Sequence, residues 1–145
     1  MEDPDDLKRF ISAQQAVYSQ ALAEIQRGEK RTHWMWFIFP QIVGLGNSPT
    51  ARYYAVRGPN EVSRYLLHPV LGTRLIECTR AVLALEGRSM QAVFGSPDDL
   101  KLKSCMTLFE TAAGEPYFTQ VLQKHYGGER DTLTLDILDS LRTVR

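Results

Sequence analysis

With 145 residues, 43% hydrophobic and 23% charged, the chain has the size of one folded domain and too many large apolar residues for intrinsic disorder. Seventeen Lys plus Arg balance seventeen Asp plus Glu, so no overall field draws it onto nucleic acid or an anionic membrane, and neither is expected as a partner. The start M-E-D-P-D-D lacks the basic and apolar grammar of a secretory signal, and the longest wholly apolar run, residues 34–39, is far short of the roughly 20 residues that span a bilayer, so a cytoplasmic location is expected.

From the N-terminus, Leu7, Phe10, Ile11, Val17, Tyr18, Leu22 and Ile25 form one stripe of helical period. Asp3 as cap, Pro4 at the first helical position, Asp5 and Asp6 in the first turn and Gly28 at the exit predict a single helix of about five turns. The basic residues Arg27, Lys30 and Arg31, interrupted by Glu29, read as a solvated loop rather than a nucleic-acid patch. The block W-M-W-F-I-F at 34–39 has neither a period of two nor a polar face. It must therefore be buried on most sides whether it is helix or strand, and the favoured form is a short helix capped by Thr32 and limited by Pro40.

A glycine-punctuated loop at 42–47 follows, then Ser48-Pro49 opens a helix running to about position 56. Further helices are predicted over 60–67, 70–85 and 90–94. Ser96 as cap, Pro97 at the first position and Asp99 resemble a capping box opening a helix to about Ala113. Residues 117–126, closed by Gly127-Gly128, and 133–141, opened by Asp131 as cap, complete an all-α single domain of seven or eight helices with short connections. Cys78 and Cys105 are separated and lie inside apolar helical patterns, which makes them reduced core thiols. His33, His68 and His125 are dispersed with no ligand spacing, so no metal is assigned, and no cofactor is expected.

Chemistry has one natural location. The loop G-L-G-N-S-P offers flexible backbone amides at a helix start, a favourable place for an anion, with Arg52 in the first turn to add charge. It is not a dinucleotide fingerprint, because Pro49 stands where the third glycine belongs, and no G-x-x-x-x-G-K-[ST] occurs. Asp98 and Asp99 place negative charge at the other well-marked helix start and disfavour an anion there. Trp34 and Trp36, although core-forming by size, stand close enough in sequence to wall a pocket that stacks an aromatic ring. Only one of Tyr53 and Tyr54 can face the core squarely, about 100° apart as they are.

On the helix after position 100, Leu102, Cys105, Met106, Phe109, Ala112 and Ala113 form an apolar face and Ser104, Thr107 and Thr111 an opposite polar one. Lys101 and Ser104, three apart, share a side. His33, Lys101 and Ser104 are the catalytic candidates, each with a plain structural alternative.

The blocks K-R-T-H-W-M-W-F-I-F-P-Q-I-V-G-L-G-N-S and F-G-S-P-D-D-L-K-L-K-S-C-M-T-L-F, with Y-L-L-H-P-V-L-G-T-R-L between them, resemble those of the bacterial family known as domain of unknown function 1810, from about Leu7 to Leu138. Some members carry the label calpastatin, which nothing in these residues supports as a mechanism. The resemblance implies a small, mainly helical domain with no established reaction. Its motif covers His33, Trp34, Trp36, Gln41, Gly44, Gly46, Ser48, Lys101, Ser104 and Thr107, and often carries a second serine where this chain has Cys105.

The reading that joins these features is a pocket for an anionic, nucleotide-like small molecule between the aromatic block, the loop before Pro49 and the helix at 101–107. Its ligand-binding residues are Trp34, Trp36, Gln41, Gly44, Gly46, Ser48, Arg52 and Tyr54. The alternatives are a protein-interaction module whose aromatic groove takes a partner helix or peptide, and a domain with no active site, in which every motif residue serves packing or caps.

Overall fold

A computed structural model describes residues 7–112 and 114–143 of the chain. The described residues contain ten helices and no strand, rather than seven or eight helices: α1 (Lys8–Gln15), α2 (Tyr18–Arg27), α3 (Met35–Ile38), α4 (Pro49–Tyr53), α5 (Pro59–Leu67), α6 (Leu71–Leu83), α7 (Met90–Phe94), α8 (Asp98–Glu110), α9 (Tyr117–Tyr126) and α10 (Thr132–Thr143). None is long and apolar enough to cross a membrane.

Part of the extra count comes from the first predicted helix, which is two. Both pieces obey the same apolar period, so periodicity cannot register the break. Packing supplies it: α1 lies on α3 whereas α2 lies on α6, and the side chain of Gln14 anchors the bend from inside. Its Nε2 donates to the Phe37 carbonyl (2.8 Å) and the Tyr65 hydroxyl (3.1 Å), and its Oε1 accepts from Arg74 (3.2 Å). A buried amide with these partners meets its hydrogen-bonding needs without water. Asp3, Pro4, Asp5 and Asp6, the predicted opening of this helix, lie outside the described residues, as does Ala113, expected near the end of α8.

Two predicted caps are corrected. Thr32 does not cap α3: its N–H and hydroxyl both donate to Glu24 instead. Ser96 does not cap α8, which begins at Asp98 after a cis Ser96–Pro97 peptide, with the amides of Leu100 and Lys101 donating to the Pro97 carbonyl. Ser48 does cap α4, its Oγ accepting from the Ala51 amide at 3.1 Å. That helix stops at Tyr53 rather than near position 56, because Val56 turns back to exchange hydrogen bonds with Gln41 and Val43 in an isolated parallel bridge.

The core is centred on α8. Leu102 and every residue from Ser104 to Phe109 are buried, so the predicted polar face of this helix is not a solvated one. One side meets α9 and α5, where Phe109 lies 5.9 Å from Phe118 and 5.3 Å from Tyr65 between ring centroids. The other side, with Ser104 and Thr107, meets α10. Leu71, Leu75, Cys78 and Val82 of α6 are buried at the expected helical spacing. Each fully buried large side chain contributes about 1.5–3 kcal/mol. Burial pushes the Cys78 thiol up to about 12 and the Cys105 thiol well above its ordinary range, so both remain protonated and inert.

Candidate functional site

The aromatic block is held by a carboxylate. Glu24, near the end of α2, is almost fully buried and accepts from the amides of Arg31 (2.9 Å) and Thr32 (3.1 Å), the Thr32 hydroxyl (2.8 Å) and the Trp34 indole (2.9 Å). Burial alone would raise its pKa, but these hydrogen bonds to the ionised form overrule it and hold the carboxyl at about 2. The chain leaving α2 is thereby folded back so that Trp34 points inward. Trp34 is 0% exposed and packs on Phe39 and Phe94, with Lys30 Nζ 5.0 Å from its ring centroid. It cannot reach a ligand at the surface, which corrects its place among the binding candidates.

Trp36 emerges on the opposite side and walls an open cleft of about 520 Å³, lined also by Gln41, Ser48, Lys101, Ser104 and Asp131, with Leu100 and Leu133 beside them. Three segments far apart in sequence meet here: the aromatic block with its loop, the first half of α8, and the start of α10. Lys101 Nζ sits 4.7 Å from the Trp36 ring centroid, a cation–π distance, and 3.5 Å from Asp98 Oδ1. The second oxygen of Asp98 is paired with the buried Lys30 at 3.0 Å. Asp98 therefore has a closer cationic partner than Lys101, and the Lys101 ammonium faces the cleft with only a long, partial pairing.

On the same helix face Ser104 Oγ donates its single proton between Asp131 Oδ2 (2.9 Å) and the Leu100 carbonyl (3.1 Å). The Asp131 amide donates to Thr107 Oγ1 at 2.9 Å, and that hydroxyl donates to the Lys103 carbonyl at 2.8 Å. Asp131 is also the cap that its position before Thr132 predicts, because Oδ2 accepts from the Thr134 amide at 3.3 Å and from the Thr134 hydroxyl. Its pairing with Ser104, across 27 positions of sequence, has no local signal, and it is the cleft residue that sequence reasoning assigned only a structural task.

The remaining candidates divide. Gly46 lines the cleft and is required there, since a Cβ at this position would stand 2.6 Å from the Ala51 Cβ. Gly44 and Tyr54 line an adjoining hollow of about 10 Å³ behind Trp36 and Gln41, a space of the order of one water. Tyr54 packs on Phe10 and Phe37 while Tyr53 is 57% exposed, so one tyrosine of the pair faces inward. Arg52 and His33 are exposed and line neither space. At the helix start expected to cradle an anion, α4 has five residues, Pro49 has no N–H, the Ala51 amide is taken by Ser48 Oγ and the Arg52 amide by the Ser48 carbonyl.

Residues 4–138 match the family described as "Protein of unknown function (DUF1810)". Among solved structures, the chain is 48% identical to a conserved hypothetical protein, Rv1873 from Mycobacterium tuberculosis, with a TM-score of 0.92 over 94% of this chain and 99% of that one. No curated protein matches.

Proposed function

The chain belongs to the DUF1810 family, and from the geometry of its cleft we propose that it binds an anionic, nucleotide-like small molecule on Trp36. The observation that carries this reading is the meeting of an accessible indole, one cation and a carboxylate–hydroxyl pair in a single cleft, at Trp36, Lys101 and Asp131–Ser104. The volume of about 520 Å³ is in the usual range for a small-molecule site, roughly 300–1,000 Å³. A planar ring gains about 1–3 kcal/mol from stacking on an aromatic side chain. Lys101 supplies the charge for an anionic group, and the Gln41 amide can donate or accept at a ring edge.

Recognition fits the cleft better than nucleophilic attack by its serine. Activating a serine near neutral pH takes a strong neighbouring base, usually an imidazole. Ser104 meets a carboxylate, His33 lies outside the cleft, His125 Nε2 pairs with the Val82 carbonyl, and His68 Nδ1 accepts from the amides of Val70 and Leu71.

Calorimetric titration with adenosine monophosphate, adenosine and ribose 5-phosphate tests the reading. Trp36→Leu should weaken the monophosphate about tenfold or more, the equivalent of one stacked base. Lys101→Met should weaken the monophosphate but spare adenosine, and His33→Ala and Arg52→Ala should change neither. Binding untouched by Trp36→Leu, or no binding of any of the three, would overturn it. Leu100 and Leu133, 55% and 53% exposed beside the cleft, favour a second reading in which the groove receives an apolar partner segment. Silence toward small molecules, together with an apolar peptide whose binding is lost in Trp36→Leu, would establish that one instead.

A further inference from the structure

Asp131 holds a carboxylate whose two oxygens are treated differently. Among the described residues, its protein hydrogen bonds, from Ser104 Oγ, the Thr134 amide and the Thr134 hydroxyl, all arrive at Oδ2. The carboxylate is thus fixed in orientation by both α8 and α10 while Oδ1 is left for another donor. An ionised carboxylate only accepts hydrogen bonds, so what Oδ1 takes must carry an O–H or N–H.

The cleft also contains Lys101, and the two charges of opposite sign constrain the ligand. An ammonium-bearing ligand would gain at Asp131 but meet Lys101 as a like charge, and a phosphate placed at Asp131 would be repelled. A neutral donor escapes both penalties, and in a nucleotide with its ring toward Trp36 and its anionic group toward Lys101 the neutral donors between the two are the sugar hydroxyls. A ligand that satisfies the whole cleft therefore carries its anionic group toward Lys101, a ring toward Trp36 and neutral hydroxyls toward Asp131.

We infer that Asp131 is the hydroxyl-recognising residue of this cleft and that the ligand is a ribonucleotide rather than a deoxyribonucleotide. The inference rests on the nucleotide reading above and adds the sugar to it. Ser104 is a positioning residue, acting through the Asp131 carboxylate that it holds.

The test compares adenosine 5′-monophosphate with its 2′-deoxy and 2′,3′-dideoxy counterparts, titrated into the wild-type protein and into Asp131→Ser. Serine is also a strong helix cap, so the start of α10 is kept while the reach of the carboxylate is lost, and a melting curve checks that the variant is folded. The wild-type protein should prefer the ribonucleotide over both the 2′-deoxy and the dideoxy compound by about tenfold or more, as expected for a hydrogen bond to a charged acceptor. In Asp131→Ser the preference should fall to within about twofold, because the charged acceptor responsible for the tenfold is gone. Equal binding of the ribonucleotide and its 2′-deoxy counterpart by the wild-type protein, or a preference that survives in folded Asp131→Ser, overturns the inference and leaves the nucleotide reading standing. Failure of the wild-type protein to bind any of them overturns both. The wild-type comparison needs no substitution and stands even if the variant does not fold.

Discussion

Glu24→Ala is expected to lower the free energy of unfolding by about 4 kcal/mol at pH 7, since it strips a buried hub of charge-assisted hydrogen bonds worth roughly 1.5–3 kcal/mol each and not fully additive. The donors left behind are the amides of Arg31 and Thr32, the Thr32 hydroxyl and the indole N–H of a wholly buried Trp34. An unpartnered buried donor retains its full desolvation cost, so the loss exceeds what four exposed hydrogen bonds would represent. The pH dependence carries a distinct signature. The folded carboxyl titrates at about 2 against an ordinary value of 4.5, a depressed pKa. Its contribution of about 3 kcal/mol is therefore present above the ordinary value and is lost as pH falls from 4.5 through 2. Urea unfolding of the wild-type protein and Glu24→Gln between pH 7 and pH 2 should show a stability gap that closes on acidification. A gap that stays constant over that interval would mean that the charge is not what holds the aromatic block.

Gly72→Ala should destabilise the protein by about 3 kcal/mol or more, against the sign that helix propensity alone predicts. In an exposed helix interior, alanine in place of glycine gains about 0.8–1 kcal/mol. Gly72 lies in the first turn of α6, directly after the His68-Pro69 bend, and its N–H donates to the His68 carbonyl at 2.9 Å. A Cβ here would stand 2.0 Å from the Leu66 carbonyl oxygen and 2.8 Å from its carbon. Both obstacles are backbone, so relief requires α5 and α6 to part along a buried contact. Chemical denaturation decides between the two signs, and a Gly72→Ala variant as stable as the wild-type protein would show that the close approach of α5 and α6 is not needed.

Helix positions were legible wherever local chemistry governs them. The stripe on α6, the Ser48 cap, the Asp131 cap and the glycine exits after α2 and α9 require only a few neighbouring residues, and all are present. What periodicity missed is set by contacts across the chain. The bend between α1 and α2 depends on Gln14 meeting Phe37, Tyr65 and Arg74. Thr32 is an equally plausible cap by residue type, but a carboxylate from the preceding helix claims both its donors. The site divides in the same way. Trp36, Gln41, Gly46, Ser48, Lys101 and Ser104 line one cleft. Two neighbouring aromatic motif residues cannot be separated into core and surface by spacing alone, and it is Glu24 that draws Trp34 inside while Trp36 remains at the cleft.

The two tryptophans make a direct test available, because each carries one indole N–H and only Trp36 lines the cleft. Titration of the nitrogen-15 labelled protein with adenosine monophosphate should move the Trp36 indole resonance saturably and leave that of Trp34, bonded to Glu24, in place. A Trp36 resonance that stays fixed at saturating nucleotide, or a response centred on Trp34, would contradict the account of the cleft.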